Sequence, residues 1–143
     1  MKSIKTIFGV LVGVVAVVGV VTLGAAQAFA SSAPIVITYE KQCDASVHCV
    51  GFTGAGGTFD MQGANFRGTG NVFHFTVTET VTEGDISFTA ELTATQTPAG
   101  FVVLSGRVTQ GSFAGAVIHQ RSDPDDPVAN TWTGELQIMP ASG

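Results

Sequence analysis

Residues 72–96 read VFHFTVTETVTEGDISFTAELTATQ, and this run decides the fold. From Val72 to Val81, Phe73, Phe75, Val77 and Val81 lie on one face of an extended chain, with His74, Thr76, Thr78 and Thr80 on the other. Side chains alternate between the two faces of a strand, so the apolar set is expected to face a core. Glu79 interrupts that inner row, which predicts that the strand leaves the core there or carries a bulge. Glu83-Gly84-Asp85 supplies a turn. Beyond it Ile86, Phe88, Ala90, Leu92 and Ala94 alternate with Ser87, Thr89, Glu91, Thr93 and Thr95, a second half-buried strand hairpinned to the first.

The same signs extend in both directions. Upstream, strands are expected at 35–40 and, more briefly, near 57–62, separated by a cysteine loop and a glycine-rich stretch. Downstream, Thr97-Pro98-Ala99-Gly100 turns the chain into Phe101–Thr109. There Val102, Leu104, Gly106 and Val108 oppose Phe101, Val103, Ser105 and Arg107. Further strands are expected at Phe113–Gln120 and Thr131–Ile138, the last with Trp132, Gly134, Leu136 and Ile138 inward. Between them, residues 121–130 contain Pro124 and Pro127, which argue against a regular ladder there. The total is seven or eight antiparallel strands on short connections, an all-β domain built as a small barrel or a two-layer sandwich. No fixed-period repeat is present.

Lys2 and Lys5 precede a run from Ile7 to Ala26 that is apolar or glycine except for Thr22, the layout of a secretory signal helix. Ala28-Phe29-Ala30 fits an A-x-A peptidase site, so cleavage is expected after Ala30, with Ala26-Gln27-Ala28 as the alternative. This makes residues 1–30 a signal peptide and 31–143 one secreted domain. Left uncleaved, residues 7–26 would anchor the chain in a membrane with the domain outside, since the run approaches the span of a bilayer core of about 30 Å.

The whole chain carries a net charge of −5, and the leader holds two of its lysines and no acid, so the domain is more acidic still. That balance disfavours nucleic acid, whose phosphates require Lys and Arg. A membrane partner is expected only if the leader is retained. Cys43 and Cys49 are the only cysteines, and in an exported chain so close a pair reads as a disulfide. A metal reading would recruit Asp44 and His48, but two cysteines alone do not complete a tetrahedral site.

At Gly111-Ser112-Phe113-Ala114-Gly115-Ala116 the chain resembles the G-x-F-x-G-A turn-and-strand signature of secreted allene oxide cyclase-like and dirigent-like β-barrels. The likeness covers six residues. Those families usually place Gly-Gly-Thr-Gly before the Phe, where this chain has Val108-Thr109-Gln110-Gly111. The resemblance implies an eight-stranded barrel with an apolar interior, and it carries over no catalytic residue.

Candidate site residues are few. His74, His119 and Glu91 could meet on a face or in a cavity if a barrel brings their strands together. Trp132 and Phe113, with Phe101 and Phe88, could line an apolar pocket. Asp123, Asp125 and Asp126 could offer oxygen ligands to calcium, although the loop lacks the glycine and distal glutamate of an EF-hand and reads better as a solvated acidic turn. No nucleophile elbow, zinc-protease helix, phosphate loop or dinucleotide fingerprint occurs, and no cofactor is predicted. The expected function is binding of a small apolar ligand or an extracellular macromolecule without catalysis. The alternatives are a barrel enzyme of the cyclase or isomerase type and a structural surface-associated module.

Overall fold

The hairpin of residues 72–96 is the centre of a continuous meander in the computed structural model, which describes residues 33–140. The strands are β1 (Ile35–Cys43), β2 (His48–Thr53), β3 (Thr58–Thr69), β4 (Val72–Glu83), β5 (Ile86–Gln96), β6 (Val102–Gly111), β7 (Val117–Asp126) and β8 (Thr131–Met139). Each pairs antiparallel with the next, and β1 pairs with β8, so the sheet closes into an eight-stranded barrel. Closure rules out the two-layer sandwich. The expected signal helix and its cleavage site lie outside the described residues.

Alternation places the apolar rows inside. Ile37, Phe59, Val81, Phe88, Val108, Ile118, Leu136 and Ile138 are almost wholly buried, each stabilising the fold by about 1.5–3 kcal/mol relative to the same side chain left in water. The outer wall of β4 and β5 is instead a ladder of Thr76, Thr78, Thr80, Thr82, Ser87, Thr89, Glu91 and Thr93, with Thr80 bonded to Thr89 and Thr82 to Ser87. Along β4 and β5, an apolar inner row and a polar outer row are the reverse of the pattern in a lipid-facing barrel strand.

Several expectations are corrected. The residues read as a cysteine loop include a strand, β2, whose Gly51 sits where a Cβ would strike the backbone of Glu40. β3 runs to Thr69 rather than ending near 62. The strand expected at 113–120 begins at Val117, because residues 112–116 form the turn after β6. It continues through Pro124 to Asp126 instead of giving way to a connection at Arg121, and the ladder there is irregular, as the prolines predict. β6 stops pairing with β7 at Val102↔Ser122, so beyond that point β7 bonds only to β8, and the register shifts between Pro124 and Asp126. A proline is tolerated where one side of the strand has no partner and a bulge absorbs its missing N–H.

Glu79 is the most consequential correction. β4 neither leaves the core nor bulges there: Glu79 pairs in regular register with Met61 and Ala90, and its side chain is 0% exposed. The bulge lies across the pair in β3, between Ala64 and Arg67.

Candidate functional site

The two ends of the barrel are built differently. One is made by the turns at 54–57, 84–85 and 112–116 together with the start of β1 and the end of β8, and it is filled with the apolar side chains named above. The other is made by the turns at 44–47, 70–71, 97–101 and 127–130. Here a cavity of about 280 Å³ opens, lined chiefly by Val47, Met61, Phe66, Phe75, Val102 and Trp132, with the Cys43–Cys49 disulfide in its wall.

Local sequence shapes this mouth. Asn65 takes a φ of 56° in the β3 bulge, and its side chain donates to Thr76 on the outer face. The extra residue reverses the alternation, so Phe66 turns inward and its ring meets Phe75 at a centroid distance of 5.4 Å. Phe66 and Phe73 remain 51% and 52% exposed at the rim. Cys43 and Cys49 are directly opposed in the β1–β2 pair, and between them Val47 has a φ of 60°, a left-handed conformation that a β-branched residue rarely adopts. Val47 faces the cavity and, with the Phe66 ring, would crowd a Cβ at Gly63.

Beneath the cavity lies a polar cluster formed by Tyr39, Lys41, Glu79, Gln120 and Ser122, all buried. Tyr39 and Lys41 continue the inward row of Ile35 and Ile37 in β1, as Gln120 and Ser122 continue that of Ile118 in β7. The Tyr39 hydroxyl shares a hydrogen bond with Ser122 and accepts one from Gln120 Nε2 at 2.9 Å. Its ring stacks on Phe59 at 4.5 Å, and it crosses space left by Gly134, where a Cβ would collide with it.

Lys41 is 6% exposed and reaches the floor of the cavity. Its Nζ lies 3.4 Å from Met61 Sδ and 5.4 Å and 5.5 Å from the ring centres of Tyr39 and Phe59, close enough for cation–π attraction. Both oxygens of Glu79, and Oε1 of Gln120, are buried without a hydrogen-bond partner among the described residues. Burial pushes the Glu79 carboxyl up to about 7, with the Lys41 charge and the Gln120 amide pulling it partly back. Burial likewise lowers the Lys41 ammonium to about 8, opposed by Glu79. The Tyr39 phenol is held protonated far above its ordinary range, again by burial. Chemically, this arrangement offers a cation at the floor of an apolar chamber, with a carboxyl behind it that titrates near neutrality.

The sequence candidates fall elsewhere, with one exception. Trp132 lines the cavity, and its indole N–H donates to Asn130 Oδ1. Phe113 is in the β6–β7 turn at the filled end, where Phe88 is also buried. Phe101 packs outside, its ring 3.8 Å from the Arg121 guanidinium. His74, Glu91 and His119 belong to outer rows of β4, β5 and β7, so the structure does not bring them into the cavity. His74 contacts Thr95 at 3.2 Å, Glu91 is exposed opposite Arg107, and His119 borders a groove with Glu40, Phe52 and Glu135.

Asp123 is bound by Arg121 and its carboxyl sits below the ordinary range, chiefly through the hydrogen bonds from that guanidinium. Asp126 accepts from the amides of Val128 and Ala129, and Asp125 is exposed at the bulge. Among the described residues no three His, Cys, Asp or Glu side chains gather around a common point that could hold a metal. Asp44 accepts from Ser46 and the His48 amide, and His48 pairs with Asp60, so neither turns toward the disulfide sulfurs as a ligand set.

Sequence reasoning missed Tyr39, Lys41, Gln120 and Ser122 as site residues. The available signal was parity: in Ile35-Val36-Ile37-Thr38-Tyr39-Glu40-Lys41 every second residue shares the face of Ile35 and Ile37. Comparison with protein-family models, with curated proteins and with solved structures finds no match to this chain.

Proposed function

We propose that this is an exported, non-catalytic barrel that binds a small, largely apolar molecule in the mouth cavity. The observation that carries this reading is the contrast within one interior: a barrel filled at one end keeps about 280 Å³ open at the other, lined by aromatic and aliphatic side chains. That volume falls just short of the pockets that take drug-sized ligands, which run from about 300 Å³ upward, and suits a smaller molecule. Exposed Phe66 and Phe73, with Val128 on the β7–β8 turn, give the entrance an apolar rim. Leader and disulfide both suit an extracytoplasmic compartment.

Binding ranks above catalysis for a geometric reason. Glu79 is fully buried and does not line the cavity, and the one carboxylate that does, Asp44, is held by Ser46 and the His48 amide, so a bound molecule would meet Lys41 without a free acid or base. Trp132, the single tryptophan of the chain, is a built-in reporter. Titrating the protein with 3-phenylpropanol should shift Trp132 emission saturably, and the amide resonances that move should cluster at 41–49, 61–75 and 130–132. Unchanged emission and resonances at millimolar probe would overturn the reading.

A further inference from the structure

Resting on that pocket, we infer that the ligand is a small monocarboxylic acid whose carboxylate seats on Lys41 Nζ and whose apolar body occupies the space among Phe66, Phe75, Val102 and Trp132. The argument is an inventory of the polar groups that line the cavity. Asp44 is occupied by the Ser46 hydroxyl and amide and by the His48 amide. Asn130 donates to the Cys43 carbonyl and accepts from Trp132. Gln96 donates to the Gly100 carbonyl. Lys41 differs from all three: it has three N–H donors, and its one polar contact among the described residues is a thioether sulfur, a weak acceptor.

A buried donor set without acceptors is costly, and at the floor of a chamber it can be satisfied by what enters. The missing partner is an acceptor, and a negatively charged one gains most, because charge-assisted hydrogen bonds are roughly twice as strong as neutral ones. The walls add no second cation, and Asp44 in the turn at the mouth is itself anionic, so one acidic group seated at the floor is matched and a second, nearer the entrance, would be repelled. Size follows from volume. A cavity of about 150 Å³ holds benzene, so this one takes a body of roughly 11 non-hydrogen atoms on the same scale.

The test compares three probes with one body and different heads: 3-phenylpropanoate, 3-phenylpropanol and 3-phenylpropylamine, titrated against the intact domain by Trp132 emission and calorimetry. The acid should bind at least 10-fold more tightly than the alcohol, and the amine most weakly. Lys41→Met should abolish the preference for the acid while leaving the alcohol within about 3-fold, consistent with loss of one charge-assisted bond. The double variant Lys41→Met/Glu79→Gln, which leaves no lone buried charge, should do the same. Equal affinity for acid and alcohol in the wild-type protein, tighter binding of the amine, or a preference that survives in either variant would each overturn the inference while leaving the pocket intact. Failure of all three probes to bind would remove the pocket reading and the inference together.

Discussion

The filled end and the mouth of this barrel are made by the same eight strands with the same alternation, yet they solve opposite problems. At the filled end Phe59, Phe88, Ile118, Leu136 and Ile138 interlock with essentially no exposed surface. At the mouth the inward positions are spent on a disulfide, a strained Val47, a bulge that redirects Phe66, and a cavity. Between them sits a polar layer in which Tyr39 stacks on Phe59 while Glu79 is left without a hydrogen-bond partner among the described residues. The division teaches that close packing and open interior space are separated along the barrel axis rather than around its circumference.

The sharpest way to break that division is by paired truncation. Phe88→Ala should cost about 3–5 kcal/mol in chemical denaturation, as cavity-forming core substitutions do, whereas Phe73→Ala, half-exposed at the rim, should cost under about 1 kcal/mol. Similar losses at the two sites would mean the mouth is as much a part of the folding core as the closed end.

The polar layer makes a prediction about pH whose sign is unusual. Glu79 titrates higher in the folded chain than in the unfolded one, so the folded state holds its proton more tightly, and stability should fall as pH rises from about 4.5 to about 7. Lys41 titrates lower when folded, so stability should rise again from about 8 toward 10. Above 10 the buried Tyr39 phenol reverses the trend, because only the unfolded chain ionises it readily. The result is a shallow minimum near pH 7–8, worth on the order of 2–3 kcal/mol. Lys41→Met/Glu79→Leu should flatten it and raise the neutral-pH stability. A curve of unchanged shape in that variant would show that the pair is not its source.

Smaller effects belong to the mouth loop. Replacing Cys43 and Cys49 by alanine should cost about 2 kcal/mol, the entropy of so short a closed loop, and should shift Trp132 emission, since the disulfide and Trp132 share the cavity wall. Smallest of all, Val47→Asn should change stability by no more than about 0.5 kcal/mol. Relief of the left-handed backbone, about 1 kcal/mol, offsets the lost apolar contact, and thermal unfolding followed by circular dichroism would resolve a larger change.

Most of the barrel was legible wherever alternation ran unbroken, as in Ile86–Thr95. It faded where one residue carried a conflicting local message. Gly51 and Pro124 read as breakers, but Gly51 is demanded by the neighbouring backbone and Pro124 lies past the last β6 partner. At Glu79 the chemistry of the side chain argued for departure from the core, and strand parity prevailed. The site was less legible still. Parity could have placed Tyr39, Lys41, Gln120 and Ser122 inside, and it correctly set His74 among threonines. That Lys41 and Glu79 approach each other, however, depends on the stagger of non-adjacent strands around a closed barrel, which no single stretch encodes.

The seam between β1 and β8 is expected to be the last part of the barrel to close. β2 engages β1 only from Tyr39 to Cys43, so Ile35–Thr38 must wait for Glu135–Ile138, the most distant strand in the chain. Loop closure on that scale favours slow folding, in the millisecond-to-second regime of all-β domains. Until β8 arrives, both rims of the curling sheet expose unpaired N–H and C=O groups, the geometry that recruits strands from other molecules. A chain shortened before Thr131 is therefore expected not merely to be less stable but to assemble through its open edges.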